Sequence, residues 1–199
     1  IARGRAGDGV LVQRLAQEQG FDMAVVDAVR DGGQPISSTL IREGQTKKDL
    51  DAAARWLGRS YGIRGTVVRG AGRGRTIGVP TINLEAPDPR KLLPPDGVYA
   101  VRVRIMESGV RSSGTPSQIP TPNSQILGGM MNQGPRPTFG EQARTLEVHL
   151  FDFDGELYGK TVHVEWVRRL RAVQAFPSRD ALVAQLERDR QAARATLNR

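Results

Sequence analysis

The sequence predicts a mainly β chain: a small antiparallel barrel with a C-terminal helix, preceded by a short α/β segment. Two observations support this fold class. From Gly62 onward apolar residues alternate with a period of two, whereas earlier ones follow helical spacing. Five of these alternating or continuous apolar runs lie close together, separated by Gly, Pro and Asp turns, and such spacing favours a closed antiparallel sheet.

The first part of the chain has the pattern helix, strand, helix. After Asp8, "GVLVQRLAQEQG" predicts a helix that ends at Gly20, and "FDMAVVDAV" predicts a strand. The run "KKDLDAAARWLG" predicts a second helix that stops at Gly58. Because this segment is too short to close a parallel sheet, we predict that residues 1–57 are the end of a larger domain. Residues 58–199 form the second domain.

The barrel strands are predicted at "GTVVRG", "VYAVRVRIM", "ILGGMMN", "TLEVHLFDF" and "TVHVEWVRRL". The pair Asp154-Gly155 lies between two apolar runs and predicts a hairpin. Residues 107–125 are rich in Ser, Pro, Thr and Gly, which predicts a mobile hairpin extension. The last helix begins at Pro177 and Ser178 and carries an apolar stripe that can pack on the barrel: Leu182, Leu186, Ala193 and Leu197.

Composition excludes several classes of function. The 199 residues contain no cysteine and two histidines, which argues against disulfides, thiolate catalysis and zinc sites. The sequence contains neither a long apolar run nor an N-terminal signal peptide, so we expect a cytoplasmic protein. A net charge of +8 favours anionic partners or is simply a solvated basic surface. Aromatic residues make up only 5% of the chain, which weakens the case for a base-stacking surface.

Residues 70–83, "GAGRGRTIGVPTIN", are the strongest candidate for a phosphate-binding loop. The spacing fits neither a P-loop nor a dinucleotide fingerprint. Glycines nevertheless let backbone N–H groups approach an anion, and Arg69, Arg73 and Arg75 add positive charge. A glycine-rich turn or an RGG-like nucleic-acid segment is the alternative interpretation.

Two polar groups after this loop and one carboxylate elsewhere could carry chemistry. Pro80 favours an extended backbone, so Thr81 and Asn83 should project from the same side, as oxygen ligands for Mg²⁺ or as local backbone caps. If Leu146, Val148 and Leu150 face the core, Glu147 shares the opposite strand face with His149, Phe151 and Phe153. It could accept a proton from a hydroxyl nucleophile, or it is a solvated strand glutamate.

From about Gly62 to Arg194 the chain resembles the riboflavin kinase family. Five motifs in the family's order carry the resemblance: "GAGRGRTIGVPTIN", "LLPPDGVYAVRV", "NQGPRPTFG", "LEVHLFDFDGELYGK" and "RLRAVQAFPSRDALVAQLERD". The resemblance implies a riboflavin kinase-like barrel and transfer of the ATP γ-phosphate to the 5′-hydroxyl of riboflavin, giving FMN and ADP. It also implies Mg²⁺ as the metal ion, and riboflavin or FMN and ATP or ADP as partners.

The resemblance also implies roles for individual residues. Glu147 would be the general base, and Thr81 and Asn83 would hold Mg²⁺. Asn83 would also contact the flavin, together with Arg171 and Phe176. The ATP-binding residues would be Gly70, Gly72, Arg73, Gly74, Arg75, Gly78, Thr81 and Tyr158.

The opening segment resembles the end of the nucleotidyltransferase domain of bifunctional bacterial FAD synthetases. The motifs are "RGRAGD", "ISSTLIR" and "DLDAAARWLGRSYGIRGTVVRG". In that family the side chains of "ISSTLIR" would help to bind ATP phosphates for FMN adenylylation: Ser37, Ser38, Thr39 and Arg42. The chain has no H-x-G-H motif, so we expect no adenylylation by this chain alone, and "ISSTLIR" could serve only as a helix cap.

Two rival classes remain to be separated from a kinase. A basic nucleic-acid-binding barrel would explain the charge and the Arg/Gly loop, but it predicts more surface aromatics. A flavin-binding or interaction barrel would explain the fold, but it gives no reason for Thr81, Asn83 and Glu147 to coexist. We expect no nucleic acid and no membrane as partners.

Overall fold

The computed structural model describes residues 9–24, 26–46, 49–70, 72–85, 88, 90–106, 109–110, 116–117, 125–135 and 144–198. The chain divides into two compact units, Ile1–Ser37 and Ser38–Arg199. This division is based on contacts within the folded chain. The boundary predicted between residues 57 and 58 instead separates two segments that resemble different protein families. That boundary stays a prediction.

In its described residues, 9–24 and 26–37, the first unit contains one helix and one short pair of strands. Helix α1 spans Gly9–Gln19 and ends at Gly20, whose φ of +69° a glycine adopts without steric cost. Strand β1, Arg30–Asp31, pairs with β2, Gln34–Pro35. The strand predicted at "FDMAVVDAV" is wrong, since none of its described residues is in a strand and Val26 is 88% exposed. A strand needs a neighbour for its backbone groups, and only the last residue is paired in this way, where the Val29 carbonyl accepts from the Ile36 N–H at 2.9 Å beside the β1–β2 pair, as far as the described residues show.

Two helices open the second unit. Helix α2 spans Ser38–Thr46, and α3 spans Leu50–Leu57. The Asp49 side chain accepts a hydrogen bond from the Ala52 N–H at 2.9 Å, so α3 begins at Leu50. Gly58, with φ +68°, ends α3 as the sequence predicts.

A closed six-stranded antiparallel barrel forms the body of the second unit, with neighbours in the order β10-β3-β4-β9-β8-β5. This confirms the predicted fold class. All five predicted strands are present; β4 was not predicted, because it has four residues and follows a proline loop. In chain order the elements are β3 Tyr61–Val68, α4 Arg73–Thr76, β4 Ile82–Glu85, β5 Gly97–Ile105, β6 Gly109–Val110, β7 Pro116–Ser117, β8 Ile126–Pro135, β9 Arg144–Leu150 and β10 Thr161–Arg171.

Within the segment 107–125, β6 and β7 pair with each other, as a hairpin extension requires. The other residues of that prediction, apart from Gln125, lie outside the described part of the chain.

The hairpin predicted at Asp154-Gly155 is wrong. These residues connect β9 with β10, and these two strands are not neighbours in the barrel. Leu157 of this connection is 3% exposed and packs into the core, while the Gly159 N–H donates to the Val67 carbonyl at 2.9 Å. The Asp-Gly pair therefore turns the chain, but the strands that would complete a hairpin pair elsewhere.

The barrel core and the last helix follow the predicted patterns. Leu146, Val148 and Leu150 of β9 point into the main core, whereas Phe151 belongs to a second cluster. Helix α5, Arg179–Leu197, starts at Ser178, whose hydroxyl accepts from the Ala181 N–H at 3.2 Å. Its stripe packs on that second cluster through Leu186, Ala193 and Leu197. The helix thereby covers one side of the barrel.

Candidate functional site

A row of paired residues crosses five strands of the barrel. In the strand register Asn83 of β4 lies opposite Glu147 of β9, Glu147 opposite Asn132 of β8, Asn132 opposite Val98 of β5, and Val98 opposite Arg171 of β10. Directly paired residues project from the same face of a sheet. Polar groups far apart in sequence therefore stand side by side outside the main core.

An apolar cavity of about 300 Å³ lies against this row. Four of the row's residues line it: Val98, Asn132, Glu147 and Arg171. Its apolar walls come from Ile77, Val79, Met130, Val173, Phe176, Leu182 and Leu186, so the glycine loop, the barrel and α5 all contribute. Glu147 is half-buried there. A carboxylate in such a cavity can accept a proton from a hydroxyl group that the cavity holds.

Two adjoining openings, which we call together the loop cavity, lie beside the apolar cavity. Their volumes are about 520 and 230 Å³, and they share Arg75, Pro80, Thr81 and Tyr158. Thr81 also lines the apolar cavity. One residue therefore borders both spaces, with a carboxylate on one side and an arginine on the other.

The glycines of the loop permit close backbone approach. A Cβ on Gly74 would overlap the Val79 carbonyl oxygen and lie 3.2 Å from Thr81 Oγ1, and a Cβ on Gly70 would overlap the Asn83 amide. Gly72 and Gly78 have φ values of +69° and +74°, which favour glycine. Gly70 and Gly72 line the loop cavity, and Gly74 lines the apolar cavity.

Positive charge at the loop cavity comes from Arg75 and from Arg69, whose guanidinium carbon lies 5.1 Å from the Tyr158 ring centroid. Tyr158 itself is 39% exposed. The Arg73 side chain lies outside the described part of the structure, so its predicted contact with phosphate stays a prediction. Anionic groups of a ligand would meet cations and glycine backbone here.

Two neutral oxygens lie close to these cavities: Thr81 lines all three openings, whereas Asn83 lines none of them and is buried two residues further along. Asn83 is 8% exposed, and its buried Oδ1 accepts no hydrogen bond from any described residue. A buried amide oxygen without a partner is costly unless a ligand meets it, and Mg²⁺ prefers oxygen ligands. The donor set therefore fits a hard cation completed by ligand phosphates and water. The described residues contain no cluster of three or more His, Cys, Asp or Glu side chains that could hold a metal by themselves.

Arg171, which lines the apolar cavity, is held by α5. Its guanidinium donates to the carboxylate of Asp189, which is 3% exposed, and its guanidinium carbon lies 5.6 Å from the Phe176 ring centroid. The Gln185 amide also donates to Asp189, at 2.8 Å. The two predicted flavin contacts, Arg171 and Phe176, are thus fixed together at one end of the cavity.

His149 is a buried polar residue of the cavity wall, 9% exposed. Its Nδ1 lies 2.8 Å from the Pro80 carbonyl oxygen, which can only accept, so Nδ1 carries the proton. Burial lowers the pKa of His149, and Arg190 and Arg194 lower it further against the opposing effect of the Pro80 hydrogen bond.

Sequence reasoning singled out most of the residues that meet here and missed three. Glu147, Thr81, Gly74, Arg171 and Phe176 line the apolar cavity, while Asn83 is buried against Gly70 at the end of the row. Gly78 shapes the turn after α4, where its N–H donates to the Arg75 carbonyl at 3.3 Å.

The three residues that sequence reasoning missed are Asn132, His149 and Asp189. For Asn132 and His149 the strand alternation was an available signal.

The match to known families agrees with this geometry. The riboflavin kinase family model (Flavokinase) matches residues 57–197. The bifunctional riboflavin kinase/FMN adenylyltransferase of Haemophilus influenzae is 38% identical over 194 residues, which cover 98% of this chain and 57% of that protein. The enzyme of the same name from Escherichia coli K12 is 38% identical over 191 residues, covering 96% and 55%. The chain spans about half the length of the curated relatives it matches.

A solved structure extends the comparison to three dimensions. A crystal structure described as a macrolide-efflux protein from Streptococcus pneumoniae superposes with a TM-score of 0.74 at 36% identity, covering 92% of this chain and 54% of that one. Among the helices that the structure describes, none is both long and apolar enough to cross a membrane.

Proposed function

This chain belongs to the riboflavin kinase family, and we propose that it transfers the γ-phosphoryl group of ATP to the 5′-hydroxyl of riboflavin, giving FMN and ADP. The observation that carries the proposal is the position of Thr81 between two cavities. One cavity is apolar and contains a carboxylate, while the other is bordered by arginine and glycine backbone. A phosphoryl transfer between two ligands needs this kind of shared boundary.

We assign the apolar cavity to riboflavin. Its walls offer Val98, Met130 and Leu186 to a planar hydrophobic ring system, and Arg171 and Phe176 lie at one end of it. Asn132 adds a polar group from the neighbouring strand. Glu147 would take the proton of the 5′-hydroxyl as that oxygen attacks the γ-phosphorus.

We assign the loop cavity to ATP. Arg75, Tyr158 and the backbone of Gly70 and Gly72 border it, and the absence of Cβ atoms lets the phosphates approach the main chain. Arg69 supplies a second guanidinium from the end of β3. The apolar side chains of the larger opening, including Phe153 and Leu157, would face the nucleoside.

Thr81 and Asn83 would hold Mg²⁺, as the unpartnered Oδ1 of Asn83 supports. When bound, the ion would neutralise charge on the transferred phosphoryl group. Because both protein ligands are neutral, its charge stays available to the phosphates.

The test is a phosphorylation assay with riboflavin, ATP and Mg²⁺, in which FMN and FAD are separated and quantified. We expect FMN from the unaltered chain, and at least about a 100-fold lower kcat for Glu147→Gln, with riboflavin binding retained. Glu85→Gln is the matched control, since Glu85 is an exposed strand glutamate on β4. Equal activity of both variants would remove Glu147 from the mechanism.

We expect no FAD in this assay. The relatives are named as bifunctional, but this chain spans about half their length, and its two histidines lie in the barrel strands β9 and β10. FMN adenylylation is expected only from a protein that also contains the part of these relatives that this chain does not match. FAD formation by this chain would contradict that proposal.

The family match gives the nucleic-acid-binding alternative no support. The cytoplasmic location and the absence of nucleic-acid and membrane partners stay predictions. The efflux activity named for the S. pneumoniae protein is not part of our proposal, because the curated relatives in two different bacteria share the kinase name.

A further inference from the structure

His149 is a buried side chain to which the proposed reaction assigns no role. It lies two residues after Glu147 on β9 and lines the same apolar cavity. Its ring packs edge-on against Phe151, with 5.8 Å between ring centroids. These contacts and the hydrogen bond of Nδ1 to Pro80 fix the ring in one orientation.

The hydrogen bond to Pro80 begins where the backbone pairing of β4 and β9 ends. The register pairs Asn83 with Glu147 and Ile82 with Val148. The next residues in that register are Thr81 and His149. There the His149 side chain donates to the Pro80 carbonyl at 2.8 Å, so a side chain continues the connection between the two strands.

The Pro80 carbonyl determines how the backbone presents Thr81 to the site. It belongs to the planar peptide that joins Pro80 to Thr81, so fixing this oxygen fixes the peptide plane from which Thr81 projects. Proline has no N–H, and its own backbone can be held here only through its carbonyl. Thr81 in turn borders both cavities and lies close to Gly74.

We propose that His149, protonated on Nδ1, is a positioning residue that holds the Pro80–Thr81 peptide in register with Glu147. The function of His149 is to keep the Thr81 hydroxyl at a fixed distance from the carboxylate of Glu147, which lies two residues before His149 on β9. This inference rests on the proposed kinase function for its kinetic part and on the geometry alone for its structural part.

Three variants separate the hydrogen bond from the ring. In His149→Asn the side-chain amide N–H can reach the position of Nδ1 and donate to the Pro80 carbonyl. In His149→Gln the amide projects further, and His149→Phe keeps a ring that has no donor. We expect His149→Asn to retain kcat within about threefold, and His149→Gln and His149→Phe to lose about 10- to 100-fold. All three lose the imidazole from the cavity, so the riboflavin Kd should shift similarly in all three.

A second measurement does not depend on activity. Long-range ¹H–¹⁵N correlation spectra at pH 8 report the tautomer of each neutral histidine, and with two histidines in the chain a His163→Gln sample assigns both. We expect the Nδ1–H tautomer for His149. We also expect the Thr81 amide resonance to shift in His149→Phe by more than in His149→Asn.

The outcomes are distinguishable. If the unaltered chain makes no FMN, the proposed function fails, and the tautomer and the Thr81 resonance still decide the positioning role. An Nε2–H tautomer, or equal kcat in the Asn, Gln and Phe variants, would overturn it. If the His149→Gln and His149→Phe variants fail to fold, two measurements decide: the tautomer of His149 in the unaltered chain and the activity of His149→Asn. An Nδ1–H tautomer together with an active His149→Asn variant supports the inference. An inactive His149→Asn variant contradicts it.

Discussion

Asp189 accepts hydrogen bonds from Nε and Nη2 of Arg171 at 3.0 and 2.7 Å, and this pair joins α5 to the end of β10 at the rim of the apolar cavity. Both side chains are largely buried, since 19% of the side-chain surface of Arg171 and 4% of that of Asp189 is exposed. A buried ion pair of this kind is costly to break from one side, because the remaining charge loses its partner. The helix and the cavity wall are therefore energetically linked.

Asp189→Asn should reduce the free energy of unfolding by about 3 kcal/mol, because it leaves the Arg171 guanidinium without a counter-charge. It should also raise the KM for riboflavin more than the KM for ATP, since Arg171 lines only the apolar cavity among those described. Urea unfolding and steady-state kinetics measure the two effects. The matched control is Glu187→Gln on the same helix, whose ion pair with Arg190 is partly exposed and should cost less than about 1 kcal/mol. Equal losses in both variants would contradict the prediction.

Gly74→Ala should impair phosphoryl transfer, because the new Cβ would overlap the Val79 carbonyl and press on Thr81, which borders both cavities. We expect kcat to fall by at least about 10-fold, since small displacements of a positioned group have large kinetic effects. Gly9→Ala is the control, as a Cβ there meets nothing within 4 Å. If Gly74→Ala phosphorylates riboflavin normally, the close approach of Gly74 does not position Thr81 for the reaction.

Removal of divalent metal should separate binding from turnover. With EDTA in excess we expect FMN formation to stop and riboflavin binding, measured by flavin fluorescence, to remain. The proposed metal ligands Thr81 and Asn83 come from the β4 side of the site, whereas most of the wall of the apolar cavity comes from other elements. Asn83→Ala should require more Mg²⁺ for half-maximal activity. Unchanged activity in EDTA would exclude the metal from the reaction.

Stability should fall on acidification in part because of His163. Burial lowers the pKa of His163, the nearby Glu165 carboxylate opposes this, and Arg64, Arg104 and Arg59 lower the pKa further. A histidine whose pKa is lower in the folded state binds protons less readily than in the unfolded chain. Its contribution to stability is therefore present above pH 6.5 and is lost as the pH falls through the folded pKa.

The loss of unfolding free energy between pH 7.5 and pH 5.5, measured by urea titration, should be smaller in His163→Gln than in the unaltered chain. An identical loss in both would show that this histidine does not carry the effect.

The strands and the strand face that carries Glu147 were predictable because their signal is local. Alternation in "TLEVHLFDF" is enough to separate Glu147 and His149 from Leu146 and Val148, and the structure confirms these two faces within β9. The prediction for Phe153 is wrong: β9 ends at Leu150, the alternation stops with it, and Phe153 packs against the main core. The glycine loop and its neighbours could likewise be recognised from their order. Such features depend on the intrinsic geometry of a strand or a turn.

The remainder depended on tertiary contacts. The Asp189–Arg171 pair spans 18 residues and forms only when α5 docks on the barrel. The Asp154-Gly155 turn has the composition of a hairpin, but the closure of the barrel assigns β10 to β3 and β5. The "FDMAVVDAV" segment has strand composition and no strand among its described residues, because composition supplies no pairing partner.

The register of β4 and β9 has a consequence for how such a site can be altered. Asn83 and Glu147 are opposite partners in a backbone ladder, so the separation of the proposed metal ligand and base is set by main-chain hydrogen bonds and not by any flexible segment. The cavity walls, in contrast, come largely from α5 and from the segments around α4 and after β10. An engineer who wishes to admit a different alcohol could therefore exchange the walls while the reacting centre keeps its alignment.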